Sequence, residues 1–151
     1  MFAAKHNLNV GIEGEKVAGQ YLIKKGWVVL FKNIKRKGDE IDIIARDPKG
    51  TLVFCEVKTM AIRACATVDT TCTDGPAGES LMPEDNMTAF KRRKMARGCE
   101  FFARSNPDMV DQEKGWRMDL IAVDLQKLGP AGPWSAAARY AVAGIRHYEN
   151  I

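Results

Sequence analysis

Apolar residues recur at helical spacing near the start of the chain. Val10, Val17, Ala18, Tyr21 and Leu22 fall on one arc at 100° per residue, with Gly14 inside it. This predicts a first helix from about Asn9 to Lys25, stopped by Gly26. Gly14 would let another backbone approach closely. Glu15 lies at the margin of the arc, a place that suits an exposed side chain or one reaching toward a site on the sheet. The unbroken apolar run Trp27–Phe31 reads as a buried strand, and a basic segment, 32–38, follows it. Two runs rich in strand formers come next, Glu40–Arg46 and Thr51–Lys58. After Lys58 the pattern fails until about Pro83, so 60–82 is expected to be a flexible loop, either a flap over a site or an insertion without a role. A second helix is predicted over Glu84–Ser105, ended by Asn106-Pro107. Its expected buried stripe is Met87, Phe90, Met95, Gly98, Cys99, Phe101 and Phe102, with Lys91 and Lys94 inside the stripe and Arg92, Arg93, Arg97 and Arg104 outside it. A lysine on a core-facing arc either snorkels to water or points into a polar pocket, and Lys91 is the candidate for the pocket. Strands Trp116–Leu125 and Arg139–Tyr148 close the list, joined by a Gly-Pro-rich turn at 129–133; the first puts Arg117, Asp119, Ile121 and Val123 on one face. The expected order is α-β-β-β-α-β-β, a single α/β domain over 1–151 with a mixed sheet of about five strands and helices packed against it.

The turn between the second and third strands sets which side chains meet. In Asp47-Pro48-Lys49-Gly50, Pro48 presets φ for a type I turn and Gly50 can take the left-handed bulge position after it. That loop sets Asp47 opposite Thr51, and hence Ile44 opposite Phe54, Asp42 opposite Glu56 and Glu40 opposite Lys58, with Ile41 near Val57. Opposed residues share a face with Cβ atoms about 4.5–5.5 Å apart. Two carboxylates so close repel unless a cation or a proton lies between them. The pair therefore reads as half of a divalent-metal site with the Lys58 ammonium beside it. The plain alternative is a solvated strand end in which Lys58 pairs with Glu40. With nine Glu and thirteen Lys in the chain, a Glu-x-Lys triplet by itself says little; the opposed acids carry the reading.

Composition narrows the chemistry. The 151 residues carry 23 Lys and Arg against 19 Asp and Glu, a formal charge of +4, with the basic residues gathered at Lys32, Lys35, Arg36 and Lys37 and again at Lys91, Arg92, Arg93, Lys94 and Arg97. Such clusters fit a polyanion groove, or simply a solvated face. With only His6 and His147 present, histidine-rich metal sites are excluded, and no Gly-x-Ser-x-Gly elbow or P-loop occurs. Cys55, Cys65, Cys72 and Cys99 lack zinc-ribbon spacing and read as reduced thiols of a cytoplasmic protein. No stretch approaches a membrane span. Whatever chemistry occurs must come from carboxylates, lysines and a hard cation.

Several separated blocks in order resemble the YraN-like family of small bacterial proteins: Gly14-Glu15, Asn33, Glu40–Ala45, Leu52–Thr59, Arg117–Val123 and Ile145–Asn150. That family in turn resembles the PD-(D/E)XK nuclease superfamily, whose fold is restriction endonuclease-like, and especially archaeal Holliday-junction resolvases. The resemblance implies that Asp42 and Glu56 hold Mg²⁺ or Mn²⁺ with the Val57 carbonyl as a further ligand. It implies that Lys58 orients or activates the attacking water, that Glu15 completes the acidic set, and that Lys91 occupies a helix position near the site. Asp39 is an extra acid before Glu40, Met60 stands where an Arg is usual, and 60–82 is longer than typical. Lys35, Arg36 and Lys37, with Arg92 and Arg93, would then contact phosphates. The expected function is metal-dependent hydrolysis of DNA, branched or junction DNA in particular, by a homodimer. A nucleic-acid-binding accessory protein that does not cleave is the alternative, and a structural interaction domain the weakest reading.

Overall fold

The computed structural model describes residues 2–36, 38–63, 87–130 and 138–151. Lys37, Cys65, Cys72, the segment 64–86 and most of the 129–133 turn lie outside the described residues. Helix α1 (Phe2–Lys24) precedes strands β1 (Val28–Arg36), β2 (Asp39–Arg46) and β3 (Leu52–Arg63). Helix α2 (Ala89–Ser105), a short 3-10 turn (Pro107–Met109), β4 (Trp116–Pro130) and β5 (Ala138–Tyr148) complete the order. This is the predicted α-β-β-β-α-β-β sequence. Among the described residues, five strands form one sheet in the order β1-β2-β3-β4-β5. Only β3 and β4 run parallel, and α2 lies within their crossover; the other pairs are antiparallel.

The helices take opposite faces of the sheet, and strand alternation divides the core accordingly. Val53, Cys55 and Val57 pack with Ala18, Leu22 and Trp27 on the α1 side. Leu52 and Phe54 pack with Met95, Cys99 and Ala103 on the α2 side. The predicted stripe of α1 is the one that is buried, Gly14 included: a Cβ there would run into the Thr59 side chain. That close approach lays α1 directly on β3 and brings Glu15 to it. Cys55 and Cys99 are buried free thiols, and burial pushes the Cys99 thiol up to about 12, so neither is a nucleophile at neutral pH. No described helix is long and apolar enough to cross a membrane.

Several expectations change, among them the start of α2, which is at Ala89 behind the Thr88 cap and not at Glu84. The run Trp27–Phe31 is not a buried strand: β1 extends to Arg36 through the basic segment and is an edge strand, with Val28 and Phe31 exposed. An apolar run is buried only if something covers both its faces. On α2, Phe90 and Phe101 are exposed, and Ala103 takes the core position instead. The expected 60–82 loop begins later, because residues 60–63 continue β3 against Asp124–Lys127 of β4. Strand β4 likewise runs five residues past Leu125.

An ionic network holds the foot of the sheet. Asp119, fully buried on β4, accepts hydrogen bonds from Arg117 Nε (3.0 Å), His147 Nε2 (2.9 Å) and the Asn150 amide (3.0 Å). Arg117 also donates to Asp47 (2.7 Å), whose other oxygen takes the Lys49 and Thr51 amides of the hairpin turn. Burial alone would raise the Asp119 pKa, but the bonds from His147, Arg117 and Asn150 outweigh it and hold the carboxylate below its ordinary range. The stability this contributes is present above the ordinary carboxylate pKa and is lost as pH falls through the depressed value. Asp119→Ala is expected to cost about 3–5 kcal/mol in urea unfolding at pH 7, since Arg117 and His147 lose their buried partner. A loss under about 1 kcal/mol would show the network to be incidental.

Candidate functional site

The hairpin forms in the register its turn dictates. Asp47 and Thr51 close it (3.0 Å), Gly50 sits at φ +91°, and Ile44 faces Phe54. The ladder then stops at Ile43–Cys55. The cause lies one residue further on. Ile43 packs on the α1 side and Ile41, two residues away, on the α2 side, so the alternation of β2 breaks at Asp42. On β1 the matching level, between Lys32–Ile43 and Ile34–Ile41, is Asn33, held at φ +53°. Both strands kink together there, and β3 leaves β2 to continue with β4 alone.

Asp42 fills the opening. Its Oδ2 accepts the Val57 amide at 2.7 Å, a side chain taking the place of the next ladder bond. In extended backbone a residue's carbonyl points to the same edge as its amide, so the Val57 carbonyl faces the same gap. Asp42 and Glu56, expected to face each other, thus fall outside the ladder although both line the cleft, and the splay separates two further expected pairs. Glu40 bonds Lys35 (2.9 Å) instead of meeting Lys58, and Ile41 and Val57 lie in different cores. Lys58 is paired with Glu56, both largely covered.

Glu15, Asp42, Glu56, Val57 and Lys58 line one open cleft of about 840 Å³, with Glu40 and Lys127 at its borders. Burial raises the Asp42 pKa first, the Glu56 charge adds to this, and together they push it up to about 7 against the Val57 hydrogen bond and the Lys58 charge. A carboxylate held this way sits where negative charge is under-compensated, which is what a cation would supply. Among the described residues no three His, Cys, Asp or Glu side chains are already gathered as metal ligands. Asp42, Glu56 and Glu15 line the cleft with Val57, and their donors are all oxygen; this set fits a hard divalent cation.

Lysines flank the acids on both sides. Lys91 and Lys94 of α2 border a second hollow with Asp42 and Glu56. Lys16, Lys32 and Lys35 border a third with Glu15 and Glu40, and the Lys32 ammonium packs where a Cβ at Gly19 would lie. Lys91, expected on the buried stripe, is exposed on α2 and lines the hollow that Asp42 and Glu56 share. Arg92 and Arg93 are exposed on α2 and line none of these three hollows. Arg36 lies over the Phe101 ring, on the α2 side. Lys16 went unnoticed in the sequence, although it directly follows Glu15.

The profile of the uncharacterised protein family UPF0102 matches residues 14–123. A UPF0102 protein of Trichlorobacter lovleyi is 46% identical over 122 residues, covering 81% of this chain and 82% of the relative. UPF0102 proteins of Ralstonia pickettii and Pelobacter propionicus are 36% and 33% identical, over 76% and 84% of this chain and 79% of each relative.

Proposed function

The chain belongs to the UPF0102 family, and from the site it builds we propose a metal-dependent nuclease that hydrolyses phosphodiester bonds of DNA, branched or junction DNA above all. The observation that carries this is the Asp42 carboxylate set into the gap between β2 and β3, on the Val57 amide and beside Glu56 and Lys58, in a cleft flanked by lysines. Asp42, Glu56 and the Val57 carbonyl would hold Mg²⁺ or Mn²⁺. Such a cation neutralises phosphate charge and makes bound water more acidic. Lys58 cannot accept a proton while charged; it positions the water and stabilises the negative charge that develops on the phosphate. Glu15 completes the acidic rim and Lys91 meets the phosphate from α2. Lys16, Lys32 and Lys35 on one flank and Lys91 and Lys94 on the other give affinity without sequence information. Two strands of a junction need two such sites, and so a homodimer.

The binding-only alternative has one observation in its favour: Lys58 is tied to Glu56 and not free to address a water. The test is incubation of purified protein with linear, single-stranded and branched DNA in Mg²⁺ or Mn²⁺. Metal-dependent cleavage of branched DNA is expected; salt-dependent binding without cleavage of any substrate gives the accessory reading. Changing Lys32 and Lys35 to alanine should weaken DNA binding and flatten its log–log salt slope by roughly two, at about 0.9 per phosphate contact. Changing the exposed Arg92 and Arg93 should do less.

A further inference from the structure

Beyond the acidic cleft and its two flanking hollows, the face of the sheet covered by α2 carries a further recess. It lies between α2 and the β1–β2 pair, holds about 240 Å³, and has an apolar wall of Ile34, Ile41, Phe101 and Phe102. Phe101 is a large aromatic left 44% exposed near the C-terminal end of α2. The Arg36 guanidinium lies on its ring, 3.1 Å from the centroid. Asp39, Asn106 and Lys35 also line it, with Asn106 Nδ2 donating to the Phe102 carbonyl (2.9 Å) and Asp39 standing 3.9 Å from Arg97.

We infer that this recess is a subsite for one unpaired nucleobase of the DNA substrate, stacked on the Phe101–Arg36 pair; this rests on the nuclease reading above and specifies its substrate. A base has apolar faces and a polar edge, matching an aromatic ring and guanidinium plane with an acid and an amide at the border. Its phosphate would lie toward Lys35, which also borders the cationic hollow next to Glu15 and Glu40. The distance fits as well. Asp39 of the recess and Asp42 of the cleft are three residues apart on β2, about 10 Å at 3.3 Å per residue. At about 3.4 Å per stacked nucleotide, the base bound here belongs within about three nucleotides of the scissile phosphate. Inside an intact duplex both faces of that base are covered by its neighbours. The subsite therefore selects DNA with an unpaired nucleotide beside the cut, as at a junction, flap or overhang, and rejects continuous duplex.

Binding without divalent metal tests this, using Phe101→Leu, Phe101→Tyr and wild type against a blunt duplex and the same duplex with a short single-stranded overhang. Phe101→Leu is expected to bind the overhang DNA roughly 5- to 100-fold more weakly, the range of one base–aromatic stack, with blunt-duplex affinity unchanged and Phe101→Tyr near wild type. A 2-aminopurine walked along the overhang should be quenched at one position by wild type and Phe101→Tyr, and at none by Phe101→Leu. Phe101 is exposed enough that both variants should fold, which circular dichroism checks. Equal loss on both DNAs, or no loss on either, overturns the subsite while leaving the nuclease reading intact. Absence of any DNA binding by wild type overturns both.

Discussion

Lys58→Ala is expected to abolish Mg²⁺-dependent cleavage of branched DNA while leaving most of the affinity for it. The ammonium lies in the cleft beside the acidic set, paired with Glu56, and lines neither of the flanking hollows. In the proposed reaction it acts on charge that appears only as the phosphate is attacked, so its loss should fall on the rate and not on binding. Removing one group that stabilises developing charge typically lowers turnover about 10²- to 10³-fold. Single-turnover cleavage and fluorescence anisotropy on the same substrate separate the two quantities. A variant that cleaves within a few-fold of wild type would remove Lys58 from the mechanism. One that loses binding and cleavage in equal measure would reassign it to substrate affinity.

Asp42→Asn should eliminate Mn²⁺ binding and, without metal, make the protein more stable at neutral pH. The asparagine keeps an oxygen for the Val57 amide but carries no charge to repel Glu56 or attract a cation. The sign follows from the raised pKa of about 7, against an ordinary value of 3.8. Between those values the folded state holds a proton that the unfolded chain has released, so wild-type stability declines as pH rises through that window. Above it the full cost of an ionised, poorly compensated Asp42 remains, on the order of a few kcal/mol. The asparagine variant lacks this decline, and the two proteins converge near pH 4. Metal competes with the proton, so Mn²⁺ affinity in wild type should itself fall as pH drops below about 7. Calorimetry with Mn²⁺ and urea unfolding from pH 4 to 8 check both statements. Equal Mn²⁺ affinity in the two proteins, or parallel stability profiles, would count against Asp42 as a metal ligand.

Much of the fold was already present in short-range patterning. The turn Asp47-Pro48-Lys49-Gly50 sets a register that survives in the structure, because Gly50 can hold a positive φ and the loop length then leaves one pairing. The buried arc of α1 and the contact at Gly14 follow from helical spacing and the absence of a Cβ. The order of elements, and with it the fold class, followed from the same periodicities. The resemblance carried by the blocks around Glu15, Asp42 and Glu56 agrees with membership of the UPF0102 family.

What tertiary structure decided are the places where a distant partner overrides a local rule. Alternation along β2 should have set Glu40 against Lys58, yet the Asn33–Asp42 kink ends the ladder and turns Glu40 to Lys35. A side chain that captures a backbone amide competes with the strand pairing itself, and nothing in a strand's own composition announces it. The apolar run of β1 looked like core, but among the described residues no further strand pairs beyond it, so its outer residues stay in water. Phe101 fell on the helical stripe and remains half open, because β1 and β2 meet α2 around a recess at that point. The Asp119 network joins the hairpin turn, β4, β5 and the chain end, positions up to 103 residues apart from Asp47 to Asn150. Spacing rules describe neighbours along one element; which charges share a buried volume is settled only when the elements pack.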